Sequence, residues 1–280
     1  MLLEKQSKRM DRILVKDLQN NTYTIGKELT SKSFLINCEV LPNSFVIALT
    51  DNVRANILII NIKNDNDIHF DLKDYSSLHL AILGKEEVND LKLHADLGKY
   101  AEIDAYFADF LINKNKSDIQ INLNGEEAAC AWHLASLATK QDKKEFDVSV
   151  YQNRKNTYCK LDNYGVCLNE SMLTFSGVCK IEKGSSGSKA HQNAKIMVFD
   201  QACNGIAKPI LKIDENDIEA SHAAVVGRIN EDHLFYLTSR GLSEAEAKEL
   251  ITLGYLKPIL NGFDDEEVKE EIGGLIEERM

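Results

Sequence analysis

The side chains best suited to chemistry are six cysteines, at 38, 130, 159, 167, 179 and 203, and seven histidines, at 69, 79, 94, 133, 191, 222 and 233. A thiolate is a nucleophile and a soft-metal ligand, and a neutral imidazole holds borderline metals. Spacing argues against both uses. No Cys-x-x-Cys pair occurs, so the pattern fits neither a zinc site nor a thioredoxin-like redox motif. No histidine stands at a ligand-like distance from another, and a His-Glu-x-x-His helix is missing. The default is six reduced, mostly buried thiols acting as small hydrophobes, with histidines satisfied by hydrogen bonds. Gly184-Ser185-Ser186-Gly187-Ser188-Lys189 looks like a phosphate loop, yet lacks the spacing and order of a Walker A sequence. Ser186 and Lys189 make a Ser-x-x-Lys, but its companion signatures and any Gly-x-Ser-x-Gly elbow are missing. This Gly/Ser run therefore reads as a turn. Nothing here assembles a catalytic group, and the expectation is a chain that is not an enzyme.

Whatever these residues do must be set by the elements that carry them. With 280 residues and 44% hydrophobic content the chain can bury a large core. A net charge of −11 leaves no basic stripe to neutralise phosphates, which excludes nucleic acid as the expected partner. Charges at Glu4, Lys5, Lys8 and Arg9 break the apolar core a signal peptide needs. No later run approaches the roughly 20 apolar residues that span a bilayer. The expected location is cytoplasmic. From about Phe34 to Ile229, short alternating runs such as Ile119-Gln120-Ile121-Asn122-Leu123 and Phe146-Asp147-Val148-Ser149-Val150 read as strands with one buried face. Several runs are separated by polar arcs longer than a two-residue hairpin turn, which favours a solenoid over a sandwich without excluding the latter. After Arg240 the period becomes helical. Ser243-Glu244-Ala245-Glu246 is a capping box with Leu242 and Ala247 as a weak staple, and a second start is expected at Asp264. Gly273-Gly274 should interrupt that last helix unless it docks. The division is a lead-in over 1–33, a β core over 34–240 and a helical segment over 241–280.

Five blocks then fall in order between about Asn153 and Leu260. They are Leu173-Thr174-Phe175-Ser176-Gly177-Val178, Ala190-His191-Gln192-Asn193, Lys208-Pro209-Ile210-Leu211-Lys212-Ile213, Ser221-His222-Ala223-Ala224-Val225-Val226-Gly227-Arg228-Ile229, and Leu234 to Ser243 with Glu246-Ala247 after it. Together they resemble the SufB/SufD family of iron-sulfur cluster assembly proteins. The resemblance implies a right-handed parallel β-helix with a C-terminal helical segment, acting as a non-catalytic scaffold beside SufB-like and SufC-like subunits. It also implies that the ATPase docks on the helical segment, for which Leu242, Leu250, Ile251, Tyr255 and Leu256 are the candidate contacts. The last coils would form the contact with a SufB-like subunit or with a second copy. A transient cluster would sit there, with none on the isolated chain. SufB-like proteins carry a cysteine where this chain has Ala194, and glutamates beside the histidine matching His222, where this chain has Ser221 and Ala223. Alanine neither accepts sulfur nor holds iron, so the resemblance is nearer to SufD. The family's cysteine two residues before that histidine is Ala220 here. His222 remains the candidate metal ligand, shared with a partner. Two other readings stay open: a SufB-like homodimer that accepts sulfur on Cys203, and a β-helix enzyme acting on carbohydrate or acyl groups, which would need clustered carboxylates or a histidine base.

Overall fold

Strand alternation decides the architecture of the computed structural model, which describes residues 10–280. In Lys143–Gln152 (β12) the side chains of Lys144, Phe146, Val148, Val150 and Gln152 are buried while those between them reach outward. Seventeen strands run among the described residues, from Asp11–Arg12 (β1) to Ile218–Arg228 (β17). Odd-numbered strands form one sheet of nine and even-numbered strands a second sheet of eight, with every ladder parallel. Each coil thus gives one strand to each sheet, and the inner faces share one apolar core. This is the expected β-solenoid.

Coil length explains why no repeat is visible in the sequence. Arg54 pairs with Ser77, Ser77 with Glu102, Glu102 with Ala129, Ala129 with Tyr158 and Tyr158 with Lys189. Subtracting these numbers gives coils of 23, 25, 27, 29 and 31 residues. The solenoid widens as it grows, so similarity at a fixed period cannot arise. Its corners stack as well. Tyr100 (φ 54°) and Asn156 (φ 57°) are left-handed, and their N–H groups donate to Glu126 O and Ser186 O of the next coil, each at 2.9 Å. At Gly125 a Cβ would fall 2.1 Å from the Gly98 carbonyl carbon, so only glycine lets successive corners approach.

Among the described residues strands begin at Asp11, inside the expected lead-in, and α-helices begin at Glu231, ten residues before the expected boundary. Asn230 starts the first, Glu231–Ser239 (α1), by accepting from the Asp232 N–H at 2.8 Å. The second, Glu244–Leu256 (α2), opens on the anticipated capping box: Glu246 N–H donates to Ser243 Oγ at 3.2 Å and Ser243 N–H to Glu246 Oε2 at 2.7 Å. A 3-10 turn, Lys257–Gly262, leads to Glu266–Arg279 (α3), capped by Asp265 and not Asp264. Helix α3 runs unbroken through Gly273-Gly274 because Val268, Ile272 and Ile276 are buried against the outer face of the nine-stranded sheet. There the alternation stops: Ala135 and Leu137 point outward yet are buried, since helices cover that half of Ala129–Ala138 (β11). No described helix is long and apolar enough to cross a membrane.

Candidate functional site

Among the described residues both sheets end without a neighbour, at β17 and at Asn204–Ile213 (β16). A strand edge of this kind presents unpaired N–H and C=O groups, and exposed apolar side chains make it a template for pairing. Val225 is 55% and Val226 45% exposed on β17, while Ile210 and Ile213 are each 41% exposed on β16. His222 lies in the middle of this edge. It pairs with Gln192, which pairs with Leu161 and through it with Trp132. His222 therefore continues an inward-facing column at a coil that no other described residue covers, and it is exposed.

A polar rim surrounds it. His191 Nδ1 and Ser221 Oγ lie 2.8 Å apart, Lys189 pairs with Glu219 at 3.0 Å, and Gln192 Nε2 donates to Ile210 O at 3.0 Å. Among the described residues no three His, Cys, Asp or Glu side chains are placed together to hold a metal ion. A cluster carried at His222 would draw its remaining ligands from another chain. Ala220 extends the column Cys130, Cys159, Ala190 by register, and Ala194 is a buried methyl opposite Ala224. Neither position offers sulfur.

Thiols elsewhere are held back by burial. Desolvation pushes Cys38 and Cys167 up to about 12 and raises Cys130, where a thiolate is scarcely populated at neutral pH. Cys159 is also pushed up, first by its contact with Cys179, whose sulfur lies 3.4 Å away. Cys203 alone among the described thiols is partly exposed, and its sulfur is tied to Asp200 N–H at 3.3 Å and Cys167 O at 3.3 Å. The Gly184–Lys189 run forms the corner between Met172–Ile181 (β14) and Ser188–Val198 (β15), where Ser185 Oγ donates to Gln152 O at 2.9 Å. It ties coils together.

The helical candidates separate into two groups. Leu250 is exposed, and Leu242 and Ile251 are half-buried. Tyr255 turns inward, its ring edge-on to Tyr164 at 5.8 Å and its hydroxyl pushed up to about 12 by burial. Leu256 is fully buried beneath the 3-10 turn, in the cluster between helices and sheet. The most exposed large apolar side chains of the helices are instead Phe235 (74% exposed) and Tyr236 on α1, with Leu250 on α2. Reading residues 231–239 as a helical period would have placed the two aromatics on a face.

Residues 40–255 match the family model for the core domain of SufB and SufD, described as SUF system FeS cluster assembly. Over 164 residues the chain is 38% identical to the iron-sulfur cluster assembly protein SufD of Bacillus subtilis, covering 59% of this chain and 38% of that protein. It is 26% identical to SufB of the same organism over 136 residues, covering 49% and 29% respectively. With SufD of Escherichia coli it is 21% identical over 206 residues, 72% of this chain and 48% of the relative. The matched part is thus less than half the length of each of these relatives.

Proposed function

This chain belongs to the SUF-system iron-sulfur cluster assembly family with a SufBD core domain, and from that membership we propose that it acts as a SufD-like scaffold subunit. The observation that carries the proposal is the uncovered last coil, where β16 and β17 present apolar side chains and unpaired backbone around His222. A second solenoid, either a SufB-like subunit or another copy, would extend both sheets there. His222 would contribute one neutral imidazole to a cluster in transit, the partner supplying thiolate or carboxylate. Phe235, Tyr236 and Leu250 would seat a SufC-like ATPase, and the chain itself would turn over no ATP. Raised thiol pKa values support a structural use of the buried cysteines, and the cytoplasm is the compartment we assign.

Purification of the tagged chain from its own host should recover an ABC-type ATPase and a second β-solenoid protein. Leu250→Asp with Ile251→Asp should abolish ATPase binding and leave the β circular dichroism unchanged; unaltered binding would reject the docking surface. His222→Ala should lower iron and sulfide per reconstituted complex while the free chain keeps its melting temperature. The opposite pattern, unchanged yield with a loss of about 1 kcal/mol, would make His222 structural. Partial exposure of Cys203 supports a second reading, a homodimeric sulfur acceptor. Persulfide on Cys203 after incubation with a cysteine desulfurase would favour it.

A further inference from the structure

We propose that His79 is a protonation-dependent latch that fixes the C-terminal helical segment onto the solenoid. His79 lies on the outer face of Ser77–Gly84 (β7), under the 3-10 turn. Its Nε2 is 2.9 Å from Gly262 O, and its Nδ1 is 3.6 Å from Asp104 Oδ2 on Glu102–Asp109 (β9). A carbonyl only accepts, and so does an ionised carboxylate. Both nitrogens are answered at once only when both carry a proton, so the imidazolium is the form that matches this pocket. The neutral ring can keep one partner and must turn a lone pair toward the other.

The surroundings make the arrangement specific. Tyr106 packs against His79 with ring centroids 5.5 Å apart, and any Cβ at residue 262 would meet the Tyr106 ring at 2.0 Å. The carbonyl therefore reaches His79 because residue 262 is glycine. Groups facing the imidazole are Asp104 and Tyr106 from β9, Asp264 and Asp265 from the helical segment, and neutral Asn56 from Arg54–Ile60 (β5). Behind Asp104 stands His133, with Nε2 3.6 Å from Asp104 Oδ1 and Nδ1 3.6 Å from Asp162, which also holds Lys160. Burial is the largest influence on His133 and lowers its pKa against the pull of Asp104 and Asp162. For His79 the Asp104 interaction and the Gly262 carbonyl raise the pKa against its burial. The other pins are Lys85 to Glu271 at 2.6 Å and Arg279 to Phe110 O, Leu111 O and Asp142. They supply the constant part of docking and His79 the variable part.

The sign follows from linkage. Docking adds the Gly262 carbonyl at Nε2 and the Asp264 charge, both of which raise the histidine's pKa above the value it has beside Asp104 alone when the segment lifts. Its contribution is complete below the undocked value and is lost as pH rises through the docked one. Hydrogen exchange of the full chain from pH 6.0 to 8.5, corrected for intrinsic base catalysis, reads this directly. Protection in peptides from 257–279 should fall with pH while strand β12 peptides stay level. Each unit of pKa elevation appears as ~tenfold in protection. His79→Gln should make the segment's protection independent of pH, and His133→Gln should leave the dependence in place. Asp104→Asn, which keeps the imidazole, should move the fall to lower pH, and Gly262→Ala should lose protection at every pH. Level protection in the wild-type chain, the same slope in His79→Gln, or a slope that disappears with His133 would each overturn the latch.

Discussion

Lys144 and Asp109 meet inside the solenoid, neither exposed to solvent, with Nζ 2.7 Å from Oδ2. Ser136 Oγ donates to the same oxygen at 2.5 Å, and the Leu111 N–H donates to the other at 3.2 Å. Burial lowers the lysine's pKa, and the aspartate beside it works the other way. A pair of this kind is costly to break and cheap to replace. Lys144→Ala alone should therefore cost about 3–5 kcal/mol in urea unfolding, since it strands a buried carboxylate. Lys144→Met with Asp109→Leu should recover most of that loss, and a double variant as unstable as the single one would show that the pair specifies the fold. The thiols lend themselves to a simpler reading at this scale. A disulfide reagent at pH 7.5 should titrate Cys203 rapidly and the other five only after denaturation, because they are buried and four of them have raised pKa values. Fast reaction of a second thiol would mean that the last coils open.

The C-terminal segment is an element that tertiary contact sustains against its own composition. Helix α3 carries two adjacent glycines at which a Cβ would meet nothing within 4 Å. Each of Gly273→Ala and Gly274→Ala should thus stabilise the segment by about 0.5–1 kcal/mol, measured as slower exchange in 266–279. A loss at either would place an unseen neighbour there. At the far end Arg279 donates to Phe110 O at 2.5 Å and Leu111 O at 3.0 Å and pairs with Asp142. Arg279→Ala should weaken docking by roughly 1.5–3 kcal/mol, the range for hydrogen bonds to charged groups. The strands should keep their protection, since the first core lies wholly between the two sheets.

At the scale of the whole molecule, coils that lengthen from 23 to 31 residues end in the uncovered edge of β16 and β17. Solenoids need a cap or a partner at such an end, because stacked coils bury their neighbours and the last one has none. Charge placed on this exposed edge should block pairing. Val225→Lys with Val226→Lys is expected to reduce association with a second solenoid subunit or a second copy, seen as a lower mass in sedimentation, while β content is unchanged. Association at wild-type strength would move the interface elsewhere.

Alternation with a period of two determined, from sequence alone, that Phe146, Val148 and Val150 share one buried face, and the Ser243 and Glu246 side chains announced their helix start. These signals are local: a strand's pleat and a helix's first turn depend on residues within a few positions. Five ordered blocks likewise made the family legible before any coordinate was known. Tertiary structure decided what depends on residues far apart in the chain. It bridged Gly273-Gly274, buried Leu256 and left Phe235 bare, since only the outer face of the nine-stranded sheet says which helical side is covered. It set His222 on an open edge by pairing it with Gln192, thirty residues earlier, and joined His79 to Gly262 across 183 residues. A changing coil length carries no period for a sequence to display, so those meetings are fixed by stacking registers and appear only once the coils are stacked.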